Sequence, residues 1–273
     1  MYFNDLLYLL LYIKHRWELF NHFTKLSKNW FEVLLSVYNI KKNKNLICYL
    51  RNGISFFVQN PSDIEAIIEN FVSEWGHGYF SKFKEITPNN SIIDIGAHIG
   101  TFTIFMGNKH PHLKIFSFEP DPHNFKLLQK NIEINKQTNV KAFNLAVADK
   151  KKSVKLFPKL GRGFGTMGSN IINEGSAFNE IQSISLLDIL EENKIETCDL
   201  LKMDCEGAEY EILLNQDHTC FDRINNIVME YHIIPNLDYN LNDLIPHLEK
   251  YGFHVVSYPR NKNYGFLLAT KTS

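Results

Sequence analysis

A chain of 273 residues, 44% apolar and 22% charged, can bury a sizeable core and has globular composition, which excludes collagen-like, low-complexity and wholly disordered chains. With 29 basic and 30 acidic residues the net charge is −1, which argues against a nucleic-acid binder working through a broad basic surface but does not exclude a local patch. The four cysteines, Cys48, Cys198, Cys205 and Cys220, form no Cys-x-x-Cys pair and no zinc-finger spacing, so neither a disulfide scaffold nor structural zinc is expected, and a reducing cytoplasm fits best.

In chain order, residues 6–13 (LLYLLLYI) form the longest apolar run, far short of the roughly 18 residues a membrane span needs. Asp5 precedes the run and Lys14, His15 and Arg16 follow it, the reverse of a secretory signal. The first fifty residues carry seven cationic and three anionic side chains, a local charge of +4. Leu6, Leu10, Trp17, Phe20, Trp30, Phe31 and Leu34 are spaced for two or three short helices ending near Asn45. Such helices are expected to pack against the main domain or a second subunit, giving a homo-oligomer; the alternative is peripheral contact with an anionic membrane surface. A hairpin follows, Leu46 to Leu50 and Ile54 to Val58 around Asn52-Gly53, then a helix over 62–75 and a candidate lid at Gly76 to Tyr79. We divide the chain into an N-terminal segment, 1–85, and a catalytic domain, 86–273.

From Ser91 onward, strands alternate with helices: strands at 91–95, 113–118, 139–146, 199–204, 225–230, 253–258 and 264–270, and helices at 99–107, 122–134, 186–193, 208–215 and 239–250. The pattern predicts an α/β fold, a doubly wound, mostly parallel, seven-stranded Rossmann-like sheet with helices on both faces and an N-terminal helical extension. Ser185 with Asp188 reads as a capping box, and Asp121 before Pro122 as a helix cap. The interruption over 150–182 contains Gly161, Gly163 and Gly165 and is expected to be a mobile hairpin loop.

A parallel sheet binds its ligand beyond the carboxyl ends of its strands. The first strand runs into Asp94-Ile95-Gly96-Ala97-His98-Ile99-Gly100-Thr101, where glycines let backbone approach a ligand and amides at the helix start can hold an anion. The second strand ends in Glu119, nineteen residues after Gly100, where a carboxylate can accept two ribose hydroxyls. The turn lacks the Gly-x-Gly-x-x-Gly spacing of a dinucleotide site. Asp94 would repel a pyrophosphate and suit a cationic amine, which points to S-adenosylmethionine. Further on, Lys202 and Asp204 share a strand face, Glu206 follows in a turn, and Glu230 and His232 end the next strand. Glu209 is read as a helix-start acid favoured by the dipole.

The chain resembles FkbM-type methyltransferases of the class I S-adenosylmethionine-dependent superfamily. The resemblance rests on IDIGAHIGTFT within residues 92–103, FEPD at 118–121, NLAVAD at 144–149, SLLDIL at 185–190, LLKMDCEGAE at 200–209 and MEYH at 229–232, the KMDCEGAE run being the most specific. Cys205 replaces a small aliphatic residue and introduces a candidate reactive thiol. The resemblance implies O-methylation of a hydroxyl on a sugar, glycolipid or other secondary metabolite. The expected cofactor residues are Asp94, Gly96, His98, Gly100, Thr101, Glu119, Asn144 and Asp204. The expected catalytic residues are Lys202, Asp204, Glu206, Glu230 and His232, with Glu230 or His232 as base and Asp204 orienting substrate or the cofactor amine. No metal residue is assigned; a divalent cation is admitted but not favoured, because each acid has a simpler role. A nucleic-acid acceptor is not favoured either. The alternatives are a nicotinamide-dependent oxidoreductase on the same fold and a non-catalytic scaffold.

Overall fold

The computed structural model describes residues 17–38, 46–71, 89–156, 179–233 and 239–272. The expected lid at 76–79, the glycine-rich stretch at 161–165 and the helices expected before residue 17 lie outside them. The chain divides into two compact units, Met1–Phe83 with Glu133–Lys136, and Lys84–Ile132 with Gln137–Ser273. Among the described residues no helix is long and apolar enough to cross a membrane.

In the first unit, residues 17–26 and Trp30–Val37 are helical, and strands β1 (Ile47–Tyr49) and β2 (Ser55–Phe57) pair antiparallel as the Asn-Gly signal predicts. Gly53 takes φ +94°, a conformation that costs a side-chain-bearing residue. The helix Pro61–Phe71 begins on proline, whose fixed φ suits a first turn. Phe23, Val33, Phe56 and Ile67 are fully buried and form the centre of this unit.

The second unit is built on a seven-stranded sheet in the order β11-β12-β10-β9-β3-β4-β5. The strands are β3 (Ser91–Ile95), β4 (Lys114–Phe118), β5 (Val140–Phe143), β9 (Leu200–Met203), β10 (Asn226–His232), β11 (Phe253–Pro259) and β12 (Tyr264–Lys271). Only β12 runs against its neighbours, pairing antiparallel with both β10 and β11. Every residue of β3 and β9 is buried, the near-continuous apolar character a central parallel strand requires. Two charges, Asp94 and Lys202, are buried in those strands, and they stand opposite each other in the β3–β9 register.

The strand predicted over 139–146 is two strands. β5 stops at Phe143, and β6 (Ala146–Ala148) leaves the main sheet to join β8 (Asn179–Ser185) and β7 (Ser153–Leu156) in a separate three-stranded sheet. The break falls at Asn144, whose side-chain amide donates to the carbonyls of Glu119 and Pro120 at 2.9 and 3.0 Å and turns the chain off the ladder. β7 and β8 pair antiparallel on either side of the glycine-rich stretch. The helix Leu186–Glu192 starts with the predicted capping box of Ser185 and Asp188, and Asp121 caps the helix Pro122–Ile134 by accepting from the amides of His123 and Asn124.

Candidate active site

From β3 the chain winds outward through β4 to β5, then returns to the other side of β3 to lay down β9 and β10. This reversal parts the loops at the carboxyl ends of the strands and opens a crevice there. The crevice measures about 570 Å³, including space open to solvent. Gly96 and His98 line it from the turn after β3, Glu119 from the end of β4, and Asp204, Cys205 and Glu206 from the end of β9; Leu145 and Val147 supply an apolar flank.

Glu119 lines this crevice, although it is only 5% exposed. Its Oε2 accepts the His98 amide at 2.7 Å and its Oε1 the Asp121 amide at 2.9 Å. Each oxygen retains acceptor capacity, so the group can still take a diol. Burial raises its pKa to about 7, partly offset by the two amides. His98 reaches the crevice with φ +53°; burial and then the Lys202 charge push its pKa down to about 3, so the ring is neutral.

Five expected cofactor or catalytic residues are placed elsewhere. Asp94 is 0% exposed and does not line the crevice. Its Oδ1 sits 3.0 Å from Lys202 Nζ and its Oδ2 accepts the Thr103 hydroxyl at 2.6 Å, so the carboxylate is spent inside the sheet rather than on a ligand amine. Lys202, expected as catalytic, is 4% exposed and is the other half of that pair; its Nζ also donates to the Gly96 carbonyl at 2.9 Å. Burial pulls the Lys202 pKa down, but Asp94 and Asp204 outweigh it and the net direction is up. Asn144 is the clamp described above. Thr101 is buried in the first helical turn, and Gly100 precedes it at φ +87°.

Both glycines sit where packing leaves no room for a side chain, and Gly96 also lines the crevice. A Cβ on Gly96 would come to 1.9 Å from the Asp204 carbonyl oxygen, and one on Gly100 to 2.5 Å from the Leu128 side chain. Gly96 thus lets the β3 and β9 turns touch, which brings Asp204 beside the crevice. Thr103, which bridges Asp94 and Ser117 at 2.6 and 2.7 Å, escaped the sequence reading because a threonine inside a helix carries no sign of its partner.

Asp204, Glu206, Glu230 and His232 lie together. A carboxylate oxygen of Asp204, one of Glu230 and a ring nitrogen of His232 lie within 4.8 Å of one another. His232 Nε2 is 3.4 Å from Glu230 Oε1 and 3.8 Å from Glu206 Oε2, and Nδ1 is 3.3 Å from Glu209 Oε1. Tyr264 on β12 stacks against the imidazole at 6.4 Å between centroids. Burial, then the Asp204 charge, raises the Glu230 pKa to about 7. For His232 burial works downward, but the bonds to Glu209 and Glu230 prevail and the pKa rises to about 11.

Glu206 holds φ +54° and Gly207 φ +110°, a turn that swings the Glu206 carboxylate toward the crevice. Glu209 is the first residue of the helix Glu209–Leu214, as the helix-start reading has it, but it is 0% exposed and accepts the amides of Cys205 and Gly207 at 2.8 Å each, bracing the turn ahead of its helix. Cys205 lines the crevice but is buried, and burial with the Glu209 and Asp204 charges drives its thiol pKa far up, which disfavours the thiolate a reactive cysteine needs.

Residues 94–255 match the model of the methyltransferase FkbM domain. The 31-O-demethyl-FK506 methyltransferase FkbM of Streptomyces tacrolimicus is 26% identical over 236 residues, covering 76% of this chain and 88% of that protein. Methyltransferase sdnD of Sordaria araneosa is 30% identical over 175 residues, covering 53% of this chain and 67% of that protein. The hexuronic acid methyltransferase AglP of Haloferax volcanii is 25% identical over 149 residues, covering 55% of this chain and 59% of that protein.

Proposed function

This chain belongs to the FkbM methyltransferase family, and on that premise we propose that it transfers a methyl group from S-adenosylmethionine to a hydroxyl of a sugar, glycolipid or other secondary metabolite. The observation that carries the proposal is the crevice itself, with a diol-accepting carboxylate at one end, Glu119, and the acids at the end of β9 on its other wall, beside Glu230 and His232.

The residues fit such a cofactor. Glu119 is buried, opens on the crevice and keeps acceptor capacity for two ribose hydroxyls, while Leu145 and Val147 offer an apolar wall suited to a nucleobase. Asp204 is the crevice acid placed to attract a cationic amine, the role Asp94 cannot fill. When bound, S-adenosylmethionine supplies an electrophilic methyl group on a sulfonium. The chain supplies alignment and exclusion of water, which account for much of the acceleration in a bimolecular transfer.

A hydroxyl is a weak nucleophile until its proton leaves. Glu230 is the base: with a pKa of about 7 it is substantially ionised at neutral pH and yet basic enough to take a proton. Glu206 stands beside it and is left to accept hydrogen bonds from the acceptor's other hydroxyls. One relative has an oxygen acceptor in its name, the 31-O-demethyl-FK506 methyltransferase, and another a sugar acid, the hexuronic acid methyltransferase. The family match favours a methyl donor over a nicotinamide.

The test is incubation of the full chain with methyl-labelled S-adenosylmethionine and fractionated extract of its host, followed by identification of the product. Label released by mild glycan or glycolipid cleavage and stable as an ether supports the proposal. Label on nucleobases or on protein nitrogen overturns it.

A further inference from the structure

We propose that Glu209 is a positioning residue that holds His232 as a fixed imidazolium and thereby leaves Glu230 to take the acceptor's proton. The division of labour rests on the methyl-transfer reading above; the charge state of His232 does not.

The argument is one of donors and acceptors. Glu209 is sealed from solvent and outside the crevice. Its Oε2 takes the Gly207 amide, and its Oε1 takes the Cys205 amide and faces His232 Nδ1 at 3.3 Å. A carboxylate tied by two backbone donors can only accept toward the ring, so Nδ1 carries hydrogen. On the far side Nε2 faces two more carboxylates, Glu230 at 3.4 Å and Glu206 at 3.8 Å. With Glu230 and Glu206 ionised, a neutral imidazole has one donor and would set a lone pair against a carboxylate at one nitrogen or the other. In that state only the doubly protonated ring satisfies both sides.

The other groups around the ring agree with that state. Asp204 adds a fourth negative charge within its field, and Tyr264 covers a face of the ring from β12. No lysine or arginine is among these neighbours. The upward shift of the His232 pKa follows from the same contacts. A ring with hydrogen on both nitrogens has no lone pair to give, so it is unsuited to be the base. It instead offers a fixed positive charge in a cluster that would otherwise hold several unbalanced carboxylates, and it keeps Glu230 oriented through Nε2.

The proposal is tested by long-range proton–nitrogen NMR of the uniformly ¹⁵N-labelled full chain, with the His232 signals assigned by their loss in His232→Gln. In the wild type both ring nitrogens are expected to carry protonated shifts, unchanged from about pH 6 to about pH 9, although a free imidazole titrates near 6.5. In Glu209→Gln the same signals are expected to titrate inside that window, and the kcat–pH profile to gain a second ionisation. Should Glu209→Gln not fold, the wild-type spectrum decides alone. Wild-type signals that titrate between pH 6 and 9 overturn the proposal, as does a single protonated nitrogen, or selective broadening of the ring by stoichiometric Mn²⁺, which would make it a metal ligand. A fixed imidazolium in a protein that transfers no methyl group supports the Glu209 assignment and overturns the methyl-transfer reading instead.

Discussion

Asp94 and Glu119 end adjacent parallel strands and look equivalent in the sequence, yet the fold uses them in opposite ways. Asp94 is turned inward onto Lys202 and Thr103, and Glu119 keeps an open side on the crevice. Asp94→Ala is therefore expected to act on stability: it strands a buried ammonium, a loss of about 3–5 kcal/mol seen as a lower denaturant midpoint. Glu119→Ala is expected to weaken S-adenosylmethionine binding about 10- to 100-fold in calorimetry, the equivalent of one or two hydrogen bonds to a charged group. Because Glu119 has a pKa near 7, affinity is expected to fall as pH drops below 7, where the protonated carboxyl loses acceptor capacity. Glu230→Gln is expected to leave that affinity intact and lower kcat about 10²- to 10⁴-fold, the usual share of a general base. Undiminished turnover in that variant would remove Glu230 from the mechanism.

At the level of elements, the site is a product of turns. Strand and helix limits could be predicted to within a few residues because their apolar periodicity is local, and the caps at Asp121 and Ser185 because a cap and its partner are three residues apart or fewer. Ser185→Ala is expected to cost about 1 kcal/mol through the lost cap, measurable by urea unfolding. Gly96→Ala is a severer test. With φ +75° and the Asp204 carbonyl 1.9 Å from any Cβ, the two crevice turns would be forced apart. Stability should fall by about 3 kcal/mol or more, and binding should be lost with it. Where elements could not be read from the sequence, the cause was a distant contact: the Asn144 clamp on Glu119 and Pro120 divides one apparent strand into two that serve different sheets.

For the molecule as a whole, several buried groups make stability a function of pH. Glu119 and Glu230 have folded-state pKa values raised to about 7, so the fold prefers them protonated and loses that contribution as pH rises from the ordinary carboxylate range through 7. His232 is raised to about 11, so its contribution is complete below the usual imidazole value and declines as pH climbs from there toward 11. Both have the same sign, and the urea midpoint is expected to decrease steadily from mildly acidic to alkaline pH, with a shallower alkaline decline in His232→Gln. What the sequence determined by itself was the fold class, the order of elements and the family, since hydrophobic periodicity, turn chemistry and the KMDCEGAE and DIGAHIG runs are properties of contiguous residues. It also brought Asp204, Glu206, Glu230 and His232 to one end of the sheet, because strand ends in a parallel sheet lie together. The tertiary structure alone decided which acids face the crevice and which face each other. The Asp94–Lys202 pair joins β3 to β9 across more than a hundred residues, and Glu209 meets His232 across two elements. A carboxylate's role depends on what lies within a few ångströms of it, and no spacing along the chain encodes that distance.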